Sequence, residues 1–267
     1  MTIKLIACQI SLKFAFGANA DISSESKTAQ SKPLECIAWD TAQAQAFQIR
    51  TCTNRETVRH SFMVNIRDFI GSWNSSPFVE VDLKPWEVTK HAPEIINSLI
   101  TRLGNDYEID NTIAKHKSAV VEAGAVLKGP IILGPNTLVA SNAYLRGGVF
   151  LDENCIVGPS CELKTTLMFK GSKIAHLSFV GDSLVGGDAN IEAGAIIANY
   201  RNEKDDKQIR IVWKGAIIET GVTKFGALVG DDVRIGANAV VAPGALIKPG
   251  HRITRLGKID QHPEPLK

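Results

Sequence analysis

The chain has 267 residues, 44% of them hydrophobic, and a net charge of +2. That length allows one or two domains, and so small a charge, with its basic residues scattered, excludes a nucleic-acid-binding surface. The five cysteines, Cys8, Cys36, Cys52, Cys155 and Cys161, are odd in number and lack CxxC spacing, so they read as reduced thiols in a cytoplasmic protein with no metal site.

Residues 1–105 read as a small α+β domain ending in a linker helix. Met1 to Ala20 has the outline of a signal peptide, but Gln9 and Lys13 interrupt its apolar run, so Leu5 to Phe16 is better read as a buried strand. Ser23 to Pro33 is a polar loop, and Ile37 to Arg50 and Phe78 to Leu83 have strand character. Ser61 to Trp73 carries apolar residues at helical spacing. Pro93 suits a helix start, Glu94 to Leu103 the helix body and Gly104 its stop. This part has no Gly-rich phosphate loop, and no stretch of the chain is long enough to cross a membrane.

From residue 106 to 256 the chain keeps a six-residue beat, leaving 257–267 as a tail. Val121, Leu127, Leu133, Val139, Leu145, Leu151, Val157, Leu163 and Phe169 fall on it, and the residue four places on is small or apolar, as at Ala143, Cys155 and Cys161. Hexads of this kind build a parallel β-helix, mainly β, in which three hexads close one triangular coil. About eighteen hexads give about six coils, whose strands pair at roughly 4.8 Å. The beat breaks twice. Phe169 and Phe179 are ten residues apart, with His176 in the excess, and after Ile197 it is lost until Val229. Departures from a regular rule mark where function is expected.

Arg146 and Lys164 are eighteen residues apart, one coil, and should stack on one outer face. Two cations so placed repel unless an anion lies between them, and a phosphate would serve; two solvated surface charges are the plain alternative. His176 is either structural or a general base, and neutral imidazole is the usual base near pH 7. Asn190, Asn199 and Tyr200 are the other conspicuous polar residues, though Asn at a coil corner is often only a turn residue.

The run from Lys170 to Asp182, the run Gly186-Gly-Asp-Ala-Asn-Ile-Glu-Ala-Gly194 and the pair Asn199-Tyr200 resemble the acetyltransferase domain of the bifunctional bacterial glucosamine-1-phosphate acetyltransferase / N-acetylglucosamine-1-phosphate uridyltransferase. The run from Glu219 to Val233 is similar to the archaeal sugar-phosphate nucleotidyltransferases with the same coil domain. The resemblance covers roughly Asn111 to Ile253 and implies a left-handed coil. It makes His176 the base that takes a proton from a sugar amine as the amine attacks acetyl-CoA. It makes Arg146 and Lys164 the holders of the sugar phosphate and Asn190 a sugar contact. Asn199 and Tyr200 match residues near the acetyl group and the coenzyme, and Ala193 and Ala237 line the coenzyme groove. Phe179 stands where the bacterial family has a ligand-contacting Tyr, and a further loop Lys is either Lys204 or Lys207. The family's nucleotide loop has no counterpart in residues 1–105, so nucleotidyl transfer is not expected.

These readings lead to an acetyl-CoA-dependent N-acetyltransferase acting on an amino-sugar phosphate or a nucleotide-linked amino sugar. It is expected to be a cytoplasmic homotrimer with sites between subunits, and no nucleic acid or membrane partner is expected. The alternatives are an O-acyltransferase on a related sugar and a non-catalytic sugar-nucleotide-binding or assembly subunit.

Overall fold

The computed structural model describes residues 63–263. The expected strands Leu5 to Phe16 and Ile37 to Arg50, and Cys8, Cys36 and Cys52, lie outside them. The described residues are mainly β, a parallel β-helix of triangular coils. One face is a seven-stranded sheet running from Val120–Val121 to Arg252–Ile253. Each strand pairs in parallel with its equivalent one coil on, as Val120 with Leu138 and Leu138 with Ile156. Tyr107–Asp110 runs antiparallel to Ile113–His116 at the start of the coil, and Lys258–Ile259 closes the other end.

The six-residue beat is real, but its phase shifts. The inward residues run Val139, Leu145, Leu151, Val157, Leu163, then Met168, Ile174, Val180, Val185 and Ile191. Two sides of the triangle, Leu163 to Met168 and Val180 to Val185, are therefore one residue short. Phe169 points away from the coil interior into a separate apolar cluster, and Phe179 is half-exposed. The ten-residue gap read from the sequence is thus no insert, and His176 occupies an ordinary corner. Met168-Phe169 and Phe179-Val180 are adjacent apolar pairs, so spacing alone does not say which member faces inward. Thr166 and Ser183 fill the inner slots of the shortened sides. Their hydroxyls donate to backbone carbonyls, Thr166 to Val180 at 3.1 Å and Ser183 to Gly181 at 2.7 Å, which removes the cost of burying them.

The corners explain the Gly, Asn and Asp residues. Gly124, Asn142, Ser160, Leu177, Gly194, Asn238 and Leu256 fall in one column, all at positive φ. The backbone there must enter the left-handed region, which Gly and Asn tolerate and Leu does not.

One face of the prism is covered by the chain itself. Its outward residues, Ala114, Ile132, Phe150, Leu167, Leu184, Leu228 and Leu246, are all buried. Over them lie two 3₁₀ turns, Ile66–Asp68 and Gly71–Ser75, and two short helices, α1 Pro85–Lys90 and α2 Ala92–Ile100. The sequence reads as a helix over Ser61 to Trp73 and a strand over Phe78 to Leu83; Ser61 and Phe62 lie outside the described residues, and from Met63 on the structure has those 3₁₀ turns and then an irregular turn. Trp73 and Phe78 pack on Phe169 and Phe150, with Phe78 edge-on to Phe150 at 4.9 Å. The cover approaches so closely that a Cβ on Gly148 would lie 2.9 Å from the Pro93 nitrogen. Asp231 ties it by accepting from Gly71 N at 2.8 Å and Gly187 N at 2.7 Å.

The second break, after Ile197, is a true insertion. Arg210–Trp213 and Ala216–Glu219 form a hairpin whose turn, Lys214-Gly215, has positive φ at both residues, as a two-residue turn requires. Ile209, Ile211 and Phe225 extend the apolar cover over the same face.

Leu256 is 78% exposed at φ 59°. Replacing it by Asn should raise unfolding stability by up to about 1 kcal/mol, since the strained backbone is relieved and little burial is lost. Urea denaturation measures this, and a variant less stable than the parent contradicts the corner argument.

Candidate active site

Beside the covered face, the seven-stranded sheet forms a second face, and the strands carrying Val126–Lys128, Tyr144–Arg146 and Phe179 form a third; two groups of the expected residues come together at the corner these two share. The first group is a column along the corner itself. The His176 carbonyl accepts from Gly194 N at 2.8 Å, the Ala193 carbonyl from Asn238 N at 3.0 Å and the Ala237 carbonyl from Leu256 N at 2.9 Å. His176, Ala193 and Ala237 are therefore equivalent positions on successive coils. The His176 side chain is exposed, and its ring has no hydrogen-bond partner among the described residues. A shallow groove on the second face reaches this corner and is lined by Glu122, Ser141, Pro159, His176 and Asn190, among others. Ala193 and Ala237 present only small side chains along the corner beside it, and the Ala237 N–H donates to Glu192 Oε2 at 2.8 Å.

The second group lies on the third face. Arg146 pairs in register with Lys164, as the eighteen-residue spacing requires. The repulsion between them is relieved within the chain. Arg146 Nε donates to Glu162 Oε1 at 2.8 Å and Nη2 lies 2.7 Å from the same oxygen. Lys164 Nζ donates to both Asp182 oxygens at 2.8 Å. The Asn199 amide donates to the same Asp182 carboxylate. Gly181, in register with Lys164, makes room for this cluster, because a Cβ there would lie 2.8 Å from both Asn199 Cγ and Phe179 Cζ. Lys164, Phe179, Asp182 and Asn199 thus form one contact set. Lys164 and Asp182 are mostly buried, so desolvation offsets much of their attraction, and the Asn199 amide supplies a further bond.

Glu162 and Asp182 were missed as site residues. The signal was available in the coil register, since Glu162 stands opposite Tyr144, diagonal to Arg146, and Asp182 follows the residue opposite Lys164. Tyr200, next to Asn199, is 38% exposed, with the Lys207 ammonium 5.5 Å from its ring centre. That ammonium also donates to the loop carbonyls of Asn202, at 2.9 Å, and Lys204. Cys155 and Cys161 fill the coil interior, where burial pushes the Cys155 thiol up to about 12 and also raises Cys161, so both are unreactive. Among the described residues no cluster of His, Cys, Asp or Glu has metal-binding geometry, and no helix is long and apolar enough to cross a membrane.

The loop bearing Asn199 and Tyr200 is anchored by Arg201, which is 1% exposed. Its Nη2 donates to Asp260 Oδ1 and to the Pro243 carbonyl, both at 2.8 Å, and its Nη1 to Glu203 at 3.1 Å. Burial works to raise the Asp260 carboxyl, but the Arg201 guanidinium and the His262 amide hold it below the ordinary carboxylate range.

The profile of the GMPPB C-terminal domain family matches residues 127–223. A bifunctional sugar-1-phosphate nucleotidylyltransferase/acetyltransferase of Sulfurisphaera tokodaii is 35% identical over 175 residues, covering 64% of this chain and 43% of the relative. The bifunctional protein GlmU of Methanococcus maripaludis is 35% identical over 181 residues, covering 61% of this chain and 40% of the relative. The GlmU of Clostridioides difficile is 28% identical over 221 residues, covering 78% and 48%. The sequence resemblance to the bifunctional proteins thus holds for archaeal and bacterial relatives alike. This chain spans less than half the length of each of these three relatives.

The Asp260 carboxyl is depressed in the folded state, so its contribution to stability is present above the ordinary Asp pKa of about 3.9 and is lost as pH falls below it. Asp260→Asn should cost about 3 kcal/mol at pH 7, because it strips the main partner from a buried guanidinium. The difference from the parent should shrink below about pH 4, as the carboxyl protonates first in the unfolded chain and only at lower pH in the folded one. Denaturant unfolding at pH 7 and pH 3.5 measures both; an unchanged stability at pH 7 rules out the anchor.

Proposed function

We propose that this chain is an acetyl-CoA-dependent N-acetyltransferase acting on an amino sugar that carries a phosphate, working in the cytoplasm. The observation that carries the reading is the single corner column of His176, Ala193 and Ala237 beside the third-face set of Arg146, Lys164, Phe179 and Asn199. The relatives that match these coils carry acetyltransferase in their names or are GlmU proteins.

In this reading the acceptor phosphate lies against Arg146 and Lys164, sharing those cations with Glu162 and Asp182. The sugar extends over Phe179 and Asn199 toward the corner. Acetyl-CoA, the donor substrate, supplies a thioester carbonyl along the corner at Ala193 and Ala237, near Tyr200. His176 accepts the proton that the sugar amine sheds as its nitrogen bonds to the acetyl carbon. The carbon–sulfur bond then breaks, and the coenzyme leaves as its thiol after its thiolate takes up the proton that His176 holds. Phe179 gives the sugar an apolar surface without a hydroxyl.

The reading includes a homotrimer, as the resemblance implies, and the same surfaces support it. The covered face is already packed by the chain itself, whereas the other two carry exposed Val120, Val126, Ile196 and Val240. The corner bearing His176 lies between those two faces, so a neighbour packed there would wall the groove. Light scattering should give a mass near three times 28.9 kDa. A clean monomer at micromolar concentration defeats the shared site.

The direct test is acetyl-CoA consumption with a panel of amino-sugar phosphates and nucleotide-linked amino sugars. His176→Ala should lower kcat by about a hundredfold or more, within the usual range for a general base. KM for acetyl-CoA should stay within a few-fold, because the base does not hold the donor. Retained kcat with the true acceptor removes His176 from the mechanism. No turnover with any acceptor leaves a non-catalytic sugar-nucleotide-binding subunit.

A further inference from the structure

The cation column on the third face does not stop at Arg146. Lys128 pairs in register with Arg146 one coil earlier, so Lys128, Arg146 and Lys164 occupy one line in steps of roughly 4.8 Å. Arg146 is paired with Glu162 and Lys164 with Asp182, whereas Lys128 has no carboxylate partner among the described residues. Three cations against two carboxylates leave one positive charge, and it sits at the Lys128 end. Tyr144 holds it there. The Lys128 ammonium lies 5.1 Å and the Arg146 guanidinium 5.7 Å from the centre of the same ring. A cation over an aromatic face is attracted by the ring quadrupole, so Lys128 is kept beside Arg146 instead of trailing into solvent.

We infer that the acceptor is linked through a diphosphate, as in a nucleoside-diphosphate amino sugar, and that Lys128 is the residue that selects it. This rests on the acetyl transfer proposed above and narrows its substrate class. A sugar monophosphate engages Arg146 and Lys164 and leaves Lys128 unused. A diphosphate diester places its second phosphoryl group one bridging oxygen further along, toward Lys128. The sugar then lies on the Phe179 and Asn199 side and the nucleoside leaves past Tyr144. Coenzyme A also carries a diphosphate, and the donor is therefore tested alongside the acceptor.

The experiment is calorimetric titration of the full chain at low salt. The probes are glucosamine 1-phosphate, coenzyme A, and glucosamine linked through a diphosphate to uridine, guanosine or thymidine. The parent should bind at least one of the diphosphates about tenfold more tightly than the monophosphate. Lys128→Ala should weaken that binding about five- to tenfold and leave glucosamine 1-phosphate and coenzyme A within twofold. Lys164→Met should weaken both sugar ligands. Lys128 is an exposed side chain, and circular dichroism with an unchanged melting temperature establishes that the variant is folded. The inference is overturned if no diphosphate outbinds the monophosphate, if Lys128→Ala changes nothing, or if its loss falls on coenzyme A. In each of those cases His176-dependent acetylation of glucosamine 1-phosphate would leave the proposed function standing. Binding of neither kind of sugar ligand removes both.

Discussion

Everything in this molecule depends on parallel stacking of coils in register. Each residue lies roughly 4.8 Å from its equivalents one coil above and below, so whatever a position holds, it holds as a column. Apolar columns make the core, and Gly, Asn and Asp columns make the corners. A charged column is costly unless opposite charges interleave, and Glu162 and Asp182 do so on the third face. On the second face Asp232 answers Arg234 and Arg252 in the same way. The candidate site therefore follows from the scaffold: a line of cations on a stacked face is kept stable by the chain's own carboxylates.

The second constraint is that a triangular prism has three faces and only one interior. Here one outer face is as apolar as the interior, and residues from Ile66 to Ile100, with the inserted hairpin, close over it. This gives strands such as Ile131–Leu133 and Val149–Leu151 burial on both sides, which is why they read as unbroken apolar runs without alternation. It leaves two faces uncovered by the described residues, and the candidate site lies along the corner they share.

The coil was legible in the sequence because its period is short and repeated, and each corner constrains residue type. Its phase was legible only where the outer neighbour of an inward residue is polar or small. At Met168-Phe169 and Phe179-Val180 both neighbours are apolar, because one faces the coil core and the other faces the cover or the candidate sugar surface. The stacking of Arg146 on Lys164 was readable from an eighteen-residue spacing, but their carboxylate partners were not, because Glu162 stands diagonal to Arg146 and Asp182 lies one residue past the position opposite Lys164. The hairpin after Ile197 carries no hexad, and its role as part of the cover depends on contacts across the fold that local pattern does not encode.

The shortened coils place the site. In the coil before Lys164 the corner between the third and covered faces has two glycines, Gly147 and Gly148, both at positive φ. In the next two coils it is tightened to one left-handed residue, Thr165 at φ 51° and then Asp182 at φ 42°. The strands Glu162–Met168 and Phe179–Val185 consequently run through the corner without a break. A tight corner turns its side chain back toward the preceding coil, and Asp182 meets the Lys164 ammonium there. Asp enters the left-handed region more readily than most residues, so a carboxylate can stand at this corner without the strain that Leu177 and Leu256 carry at theirs. The same residue then receives Asn199 from the next coil, so that one deletion in a regular repeat fixes a lysine, an aspartate and an asparagine in a single contact set. The regularity of the other coils lets so small a change act locally, since the stack on either side holds its own register.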